Sequence, residues 1–489
     1  MSNLSSFVKS LRDIMRNDAG INGDAQRLEQ IVWLLFLKVY DAKEQDWEFE
    51  GNYRSIIPEE CRWQNWAKDS KDALTGDDLL NFVNNTLFPT LRTLPINADT
   101  PIKQSIVQSM FSEANQYMKD GVLLRQIVNV IDSVELDDYD EIHAFGEIYE
   151  NILKELQNAG SSGEFYTPRA VTEFMAKMIN PSVGEKMADF ACGTGGFITS
   201  WLKELEKKVQ TAEDRKKFES SIYGIEKKQF PYMLCVTNLL LHGIDNPTIE
   251  HGNSLIHDVL DYTDKDKFDV ILMNPPYGGN EKKDVQNHFP SDIASSETAD
   301  LFMAVILYRL KNNGRAAVVL PDGFMFGTDN AKLNLKKKLL NDFNLHTIIR
   351  LPNDVFAPYT SITTNILFFD NNGPTEETWF YRVDMPEGYK HFSKTKPMKI
   401  EHFADVEKWW NNREEICIDD AFKSKKFTAK ELSEDLGYNF DQCGIPNKEE
   451  QILLPMDLIQ QYKEKRATLD ADIDKVLSEI ESVLERNDQ

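Results

Sequence analysis

The chain has 489 residues with an apolar fraction of 41%, enough for two or three domains around a sizeable core. Its net charge of -25 excludes a protein that grips nucleic acid over a broad basic face of its own, because phosphate neutralisation dominates such binding. No run of about 18 uncharged apolar residues occurs and the N-terminus lacks a signal-peptide apolar region, so a soluble, cytoplasmic protein with no membrane association is expected. Five cysteines (Cys61, Cys192, Cys235, Cys417, Cys443) are scattered without a CxxC pair, which argues against a disulfide framework or zinc site, and no metal is expected.

Residues 1–143 read as a helical N-terminal domain. After the polar turn Asn22-Gly23-Asp24, the residues Ile31, Leu34, Leu35, Leu37 and Tyr40 lie in a dense apolar helix. Phe82, Val83, Leu87, Phe88, Leu91 and Leu94 suggest a second helical region, interrupted by Pro89, and 122–131 a third. The acidic run Asp137-Asp138-Tyr139-Asp140-Glu141 reads as a solvated helix start. A helix over 144–156 then meets the loop Gly160-Ser161-Ser162-Gly163. The segment Glu164-Phe165-Tyr166-Thr167-Pro168-Arg169 and a helix over 170–179 follow.

From 187 to about 370 strands and helices alternate, with strands expected at 187–190, 222–226, 248–251, 268–273, 316–320, 347–351 and 364–369. Alternation of this kind gives a mostly parallel sheet covered on both faces, and 144–400 forms this α/β domain. Strands at 364–369 and 379–383 flank Asn371-Asn372-Gly373-Pro374 and read as a hairpin. In the helical C-terminal region 401–489, preceded by a surface loop at 394–399, a helix over 402–415 carries Trp409 and Trp410. From Met456 one long helix runs on. Its Tyr462, Arg466, Leu469, Ile473, Val476, Ile480 and Val483 alternate spacings of four and three, a coiled-coil-like seam for a partner or for its own domain. There is no GxxxxGK[ST] loop and so no sign of a nucleotide-hydrolysing motor.

Two loops carry the chemistry. Ala188-Asp189-Phe190-Ala191-Cys192-Gly193-Thr194-Gly195-Gly196-Phe197 runs from a strand through a glycine turn into a helix, where free backbone N–H groups meet a ligand's polar end. Alone, this pattern is also that of a plain tight turn. The next strand ends at Glu226, placed as the acid that accepts from ribose hydroxyls, or as an ordinary strand-end acid. The third leads into Gly252-Asn253-Ser254, where Asn253 either bonds an adenine edge or closes a turn.

The second loop, Asn274-Pro275-Pro276-Tyr277, ends an apolar strand. Its prolines remove two N–H donors and stiffen the chain, leaving carbonyl acceptors and aiming Asn274 and Tyr277 in fixed directions. A rigid pair of acceptors suits a planar NH2 on an aromatic ring. Accepting both N–H bonds draws the nitrogen toward sp3 and frees its lone pair. Tyr277 then stacks on a base taken out of its helix.

With these residues in hand, Asp189 and Gly193-Thr194-Gly195-Gly196-Phe197 resemble the S-adenosylmethionine-binding motif of the amino-methyltransferases, and Asn274-Pro275-Pro276-Tyr277 their catalytic motif. Gly163 to Arg169 resembles the cofactor motif that precedes the first strand. With the helical ends and Leu320-Pro321-Asp322-Gly323-Phe324-Met325-Phe326, the chain resembles the modification (M) subunit of type I restriction–modification systems. The resemblance implies a Rossmann-like methyltransferase core that transfers a methyl group to adenine N6 in DNA. Glu164, Phe165, Tyr166, Thr167, Pro168 and Arg169 would then contact the methionine end of the cofactor, near Thr194, Gly195 and Gly196, with Glu226 on the ribose. Asn274 would orient the target amine and Tyr277 would stack on the base, with Phe356 against it or in the core. Many related enzymes carry Asp at the place of Asn253, so this chain departs from them at the cofactor's adenine.

The same resemblance implies a specificity (S) subunit that reads the DNA site, two M with one S, and a motor–nuclease (R) subunit for restriction. An acidic body that borrows its DNA grip fits that arrangement, and the terminal seam fits packing on the specificity subunit. Methylation of protein glutamine amides or of RNA amines by the same tetrapeptide is one alternative; a non-enzymatic scaffold is another, opposed by the intact Gly195, Asn274 and Tyr277.

Overall fold

The computed structural model describes residues 4–136 except 52, residues 166–444 except 394, 419 and 420, and scattered helical positions within 145–153 and 456–478. The acidic run at 137–141 lies outside the described residues. Residues Met1–Gly444 form one compact unit and Ile445–Gln489 a second.

In the first unit ten strands make one sheet: β1 (Met187–Asp189), β2 (Ile222–Glu226), β3 (Ile249–His251), β4 (Phe268–Met273), β5 (Leu310–Pro321), β6 (Asn344–Arg350), β7 (Thr364–Asp370), β8 (Glu377–Arg382), β9 (Ile416–Ile418) and β10 (Ala421–Thr428). Their order is β3-β2-β1-β4-β5-β7-β6-β8-β10-β9. β3 to β5 pair in parallel, β7 runs against β5 and β6, and β8 runs parallel to β6. Alternate side chains of the buried strands feed two cores, one on each face. Met187, Val270, Leu272, Ala317 and Val319 join the N-terminal helices, while Ala188, Ile271, Met273, Ala316 and Val318 join the helices Thr298–Arg309 and Asn330–Asn341.

The expected strands appear, each within a few residues of its predicted span except β5, which starts at Leu310. The expected hairpin does not form: β6 lies between β7 and β8. Buried Thr375 draws the connection across the start of β6, accepting from Leu345 N at 2.8 Å and donating to Phe343 O at 2.7 Å. Two strands after the catalytic core, β9 and β10, were not expected; Lys423, Lys425 and Lys426 break the apolar pattern of β10.

The N-terminal helices include Asp24–Phe49 and Gly121–Asp132. Pro89 does not interrupt its helical region: a π-turn at Val83–Leu87 joins Gly76–Phe82 to Phe88–Arg92, absorbing the missing N–H. This layer is bonded to the core through Trp47, whose Nε1 donates to Asp245 Oδ2 at 2.9 Å, and Gln229, whose Nε2 donates to Met110 O at 2.7 Å. The described positions of the second unit are helical, with Met456, Tyr462, Leu469 and Ile473 exposed. Val476, Ile480 and Val483 of the expected seam lie outside the described residues.

Thr375→Val keeps the shape of the side chain but leaves the Leu345 N–H without its buried partner. It should cost about 1–3 kcal/mol, read as a lower urea midpoint with an unchanged slope.

Candidate active site

β1 and β4 are neighbours, with Met187 opposite Val270 and Ala188 opposite Ile271. Their C-terminal ends therefore release the glycine loop and the Asn274 loop side by side at one sheet edge, roughly 5 Å apart between strands. The sequence order reverses here, from β3-β2-β1 to β4-β5, which is where open α/β sheets form a crevice.

The glycine loop closes by Gly195 N donating to Cys192 O at 2.8 Å. Gly195 sits at φ 79° and caps the helix Gly196–Glu206. A Cβ there would stand 2.9 Å from Cys235 Sγ, and one on Gly196 would stand 2.1 Å from Arg169 Nη1. Gly195 calls for glycine by its positive φ, and a Cβ on Gly196 would require the end of the Arg169 side chain to shift. Glu226 crosses from β2 and accepts from Gly193 N at 3.0 Å and Lys228 N at 2.8 Å. Burial raises the Glu226 carboxyl above its ordinary value, offset by those N–H bonds. Burial pushes Asp189 up to about 8, opposed by the Ala191 N–H and reinforced by the nearby Glu226 charge. Thr194 Oγ1 is buried with no partner among the described residues.

The Asn274 side chain is held at both ends. Its Nδ2 donates to Thr167 Oγ1 at 3.2 Å, and its Oδ1 accepts from the Tyr277 hydroxyl. Tyr277 is half-buried, and burial holds its phenol well above the ordinary value, so it stays protonated. Its ring meets Phe356 edge-on, with centroids 6.2 Å apart. Phe356 lies in the loop after β6, with Tyr359 N donating back to its carbonyl at 3.0 Å. On the far side, Thr298 N donates to Gly279 O at 3.0 Å and fastens the end of the catalytic loop.

One cavity of about 260 Å³ joins the two loops. Its lining includes Asp189, Gly193, Thr194, Gly196, Glu226 and Asn253 together with Tyr166, Thr167, Asn274, Pro275, Pro276 and Tyr277. Asn253 lines the wall while its Oδ1 closes a turn onto Leu255 N at 3.1 Å. Gly195, Pro168 and Arg169 stand outside the lining, and Glu164 and Phe165 lie outside the described residues. Arg169 instead forms a two-bond ion pair with Glu150, at 2.8 Å each, behind the glycine loop.

Sequence reasoning did not single out Lys227, Lys228, Glu281, Thr298, Phe302 or Tyr359, all of which line the cavity. Tyr359 follows the weighed Phe356 by three positions, and Gly278-Gly279 after Tyr277 marked a turn that had to lead somewhere. Phe302 and Thr298 carry no local signal, since a buried helix supplies them.

The cavity fits S-adenosylmethionine on its own chemistry. An orphaned hydroxyl at Thr194, a buried carboxyl at Asp189 and a strand-end acid at Glu226 suit a ligand with a cationic end and a ribose. Phe190, Leu255 and Phe302 give it apolar walls. Among the described residues no group of three His, Cys, Asp or Glu side chains could hold a metal ion.

Comparison with known proteins accords with this geometry. Residues 4–131 match the family model of the HsdM N-terminal domain, and residues 140–443 match that of N-6 DNA methylase. The methylase subunit of the type I restriction enzyme EcoEI from Escherichia coli is 50% identical over 412 residues, 84% of this chain and 83% of that one. The crystal structure of a modification subunit of a candidate type I restriction enzyme from Vibrio vulnificus YJ016 is similar with a TM-score of 0.78 and 41% identity, covering 88% of this chain and 92% of that one. A chain from a structure addressing complex assembly and conformational transition of a type I R-M system gives a TM-score of 0.80 at 32% identity, covering 98% of this chain and 99% of that one. Two family models that together span most of the chain, and relatives of substantial identity over more than four-fifths of it, show that the chain belongs to the N-6 DNA methylase family as a type I modification subunit.

Proposed function

We propose that this cavity is where a methyl group passes from S-adenosylmethionine to the N6 amine of an adenine turned out of double-stranded DNA. The observation that carries the reading is the shared cavity: the Asn274 side chain and the Gly193–Gly196 turn line one space, from adjacent strands. The bound cofactor supplies an activated methyl on a sulfonium, so no strong base and no covalent enzyme intermediate are needed.

The chain's own residues bind and orient. Asp189, Thr194 and Glu226 hold the donor by its polar groups, and Asn253 stands by the adenine end. The Asn274 Oδ1 and the carbonyl of Pro275 accept from the target amine, and Pro276 keeps N–H donors out of that space. Tyr277 and Phe356 enclose the base. Positioning and exclusion of water account for the rate.

DNA reaches the site as part of a type I complex with specificity and motor–nuclease subunits. The finer arrangement we infer is two M with one S, working in the cytoplasm. In it the exposed Tyr462, Leu469 and Ile473 of the C-terminal helix meet the specificity subunit. Among the described residues no helix is long and apolar enough to cross a membrane.

Asn274→Ala should lower methyl transfer by about 100-fold or more, while calorimetry finds cofactor binding intact. Tritiated-methyl transfer offered DNA, RNA and protein side by side should label DNA alone. Label retained in the variant would remove Asn274 from its role.

A second outcome follows from Asp189. With its carboxyl at about 8 it is mostly protonated at pH 7 in the free protein. A cationic ligand end favours the carboxylate, so cofactor binding should release a proton and tighten as pH rises from 6 toward 8. Asp189→Asn should remove that component, measured by calorimetry in buffers of different ionisation enthalpy. Equal pH profiles for the two proteins would show that the cation lies elsewhere.

A further inference from the structure

A carboxamide is nearly symmetrical in shape, and its oxygen and nitrogen exchange places by a half-turn. Only one face serves an amine. With the oxygen forward, Asn274 accepts from the target NH2; with the nitrogen forward, it meets that NH2 donor to donor. Within the loop, Pro275 and Pro276 offer no N–H to hold the oxygen in place, and the Tyr277 hydroxyl that donates to it occupies the acceptor the substrate needs.

A residue 107 positions earlier engages the nitrogen end. Thr167 Oγ1 lies 3.2 Å from Asn274 Nδ2 and takes its hydrogen. We propose that Thr167 is a positioning residue for methyl transfer, whose hydroxyl, by accepting from Nδ2, holds the Asn274 carboxamide in the plane that presents its oxygen to the substrate amine. This rests on Asn274 having the role given above. It also changes the job of the segment before the first strand, whose resemblance implies contact with the cofactor. Thr167 lines the cavity, but its recorded hydrogen bond to another side chain goes to the catalytic amide.

Thr167 is well placed for this. It is half-buried between Tyr166 and Pro168, which are both buried. Pro168 at φ -52° starts the helix Arg169–Ile179, and its carbonyl accepts from Val171 N at 2.9 Å. A hydroxyl on a backbone so fixed has little freedom to follow a rotating amide. The Tyr277 hydroxyl donates to Asn274 Oδ1 and supports the same orientation before DNA arrives. It must give up that acceptor when the base enters, whereas the Thr167 bond lies on the other atom and persists.

The test uses the chain in complex with its specificity subunit and a DNA substrate bearing the site. Thr167→Val replaces the hydroxyl by a methyl of equal size, and Thr167→Ser keeps the hydroxyl. The valine variant should lose on the order of 10–100-fold in kcat, the range seen when an orienting partner of a metal ligand is removed. Its cofactor Kd by calorimetry and its KM for DNA should stay within about twofold, and the serine variant should recover most of the rate. A valine variant with weakened cofactor binding and unchanged kcat at saturating cofactor would overturn the proposal and make Thr167 a cofactor contact. Unchanged kcat and Kd together would overturn it as well. Asn274→Ala measured alongside separates the two readings. If that variant is inactive while Thr167→Val runs at the full rate, only the positioning role falls. If it stays active, the role of Asn274 falls with it.

Discussion

Everything at the site depends on two parallel strands that end together and whose chains then part. After β1 the chain enters the helix Gly196–Glu206, whose Phe197, Ile198 and Trp201 pack into the core on one face of the sheet. After β4 it reaches the helix Thr298–Arg309, whose Leu301, Phe302 and Met303 pack into the core on the opposite face. A crevice opens between the departing segments because no connection crosses it. The alternation of side chains along β4 enforces this, since Val270 and Leu272 face one core while Ile271 and Met273 face the other. A one-residue slip would exchange the faces and turn Asn274 away from the glycine loop.

Charge sets the second constraint. A chain with 80 acidic and 55 basic residues repels a duplex over most of its surface. The chemistry proposed for the cavity needs no such grip, because it would act on one extruded base. Catalysis and DNA affinity are therefore separable, and a multi-subunit enzyme can place them on different chains. The helical tail, with Tyr462, Leu469 and Ile473 exposed, suits attachment more than catalysis.

Much of the catalytic half was legible in the sequence because its signals are local. An apolar strand stopped by Asn-Pro-Pro-Tyr has few other structures open to it, and the glycines at 193, 195 and 196 mark a turn wherever they occur. What was not legible depended on distant partners. Local residues around Asn371-Asn372-Gly373-Pro374 look the same whether the strands pair or pass over a third; the bonds from Thr375 to Leu345 and Phe343 decide it. Arg169 and Gly195 read as cavity residues because they sit in cofactor motifs. In the structure Arg169 pairs with Glu150 and Gly195 packs against Cys235, partners that the motifs themselves do not reveal. Pro89 read as a break because a proline's missing N–H is visible in sequence, whereas the π-turn that accommodates it is not.

The segment at 166–169 shows how the two halves are joined. On the side of the Asn274 loop, Thr167 accepts from the carboxamide nitrogen. Toward the donor, Arg169 lies so close to Gly196 that a Cβ there would overlap its guanidinium, while both its bonds to Glu150 fix it from behind. Asn238 completes that side, donating to Thr194 O at 3.2 Å and Glu150 Oε1 at 3.4 Å. Moving this segment would disturb the donor loop and the acceptor amide together, since neither has slack in a close-packed interior. Methyl transfer tolerates little misplacement between donor and acceptor, and a short rigid link touching both loops is a more economical way to hold that distance than two independent anchors.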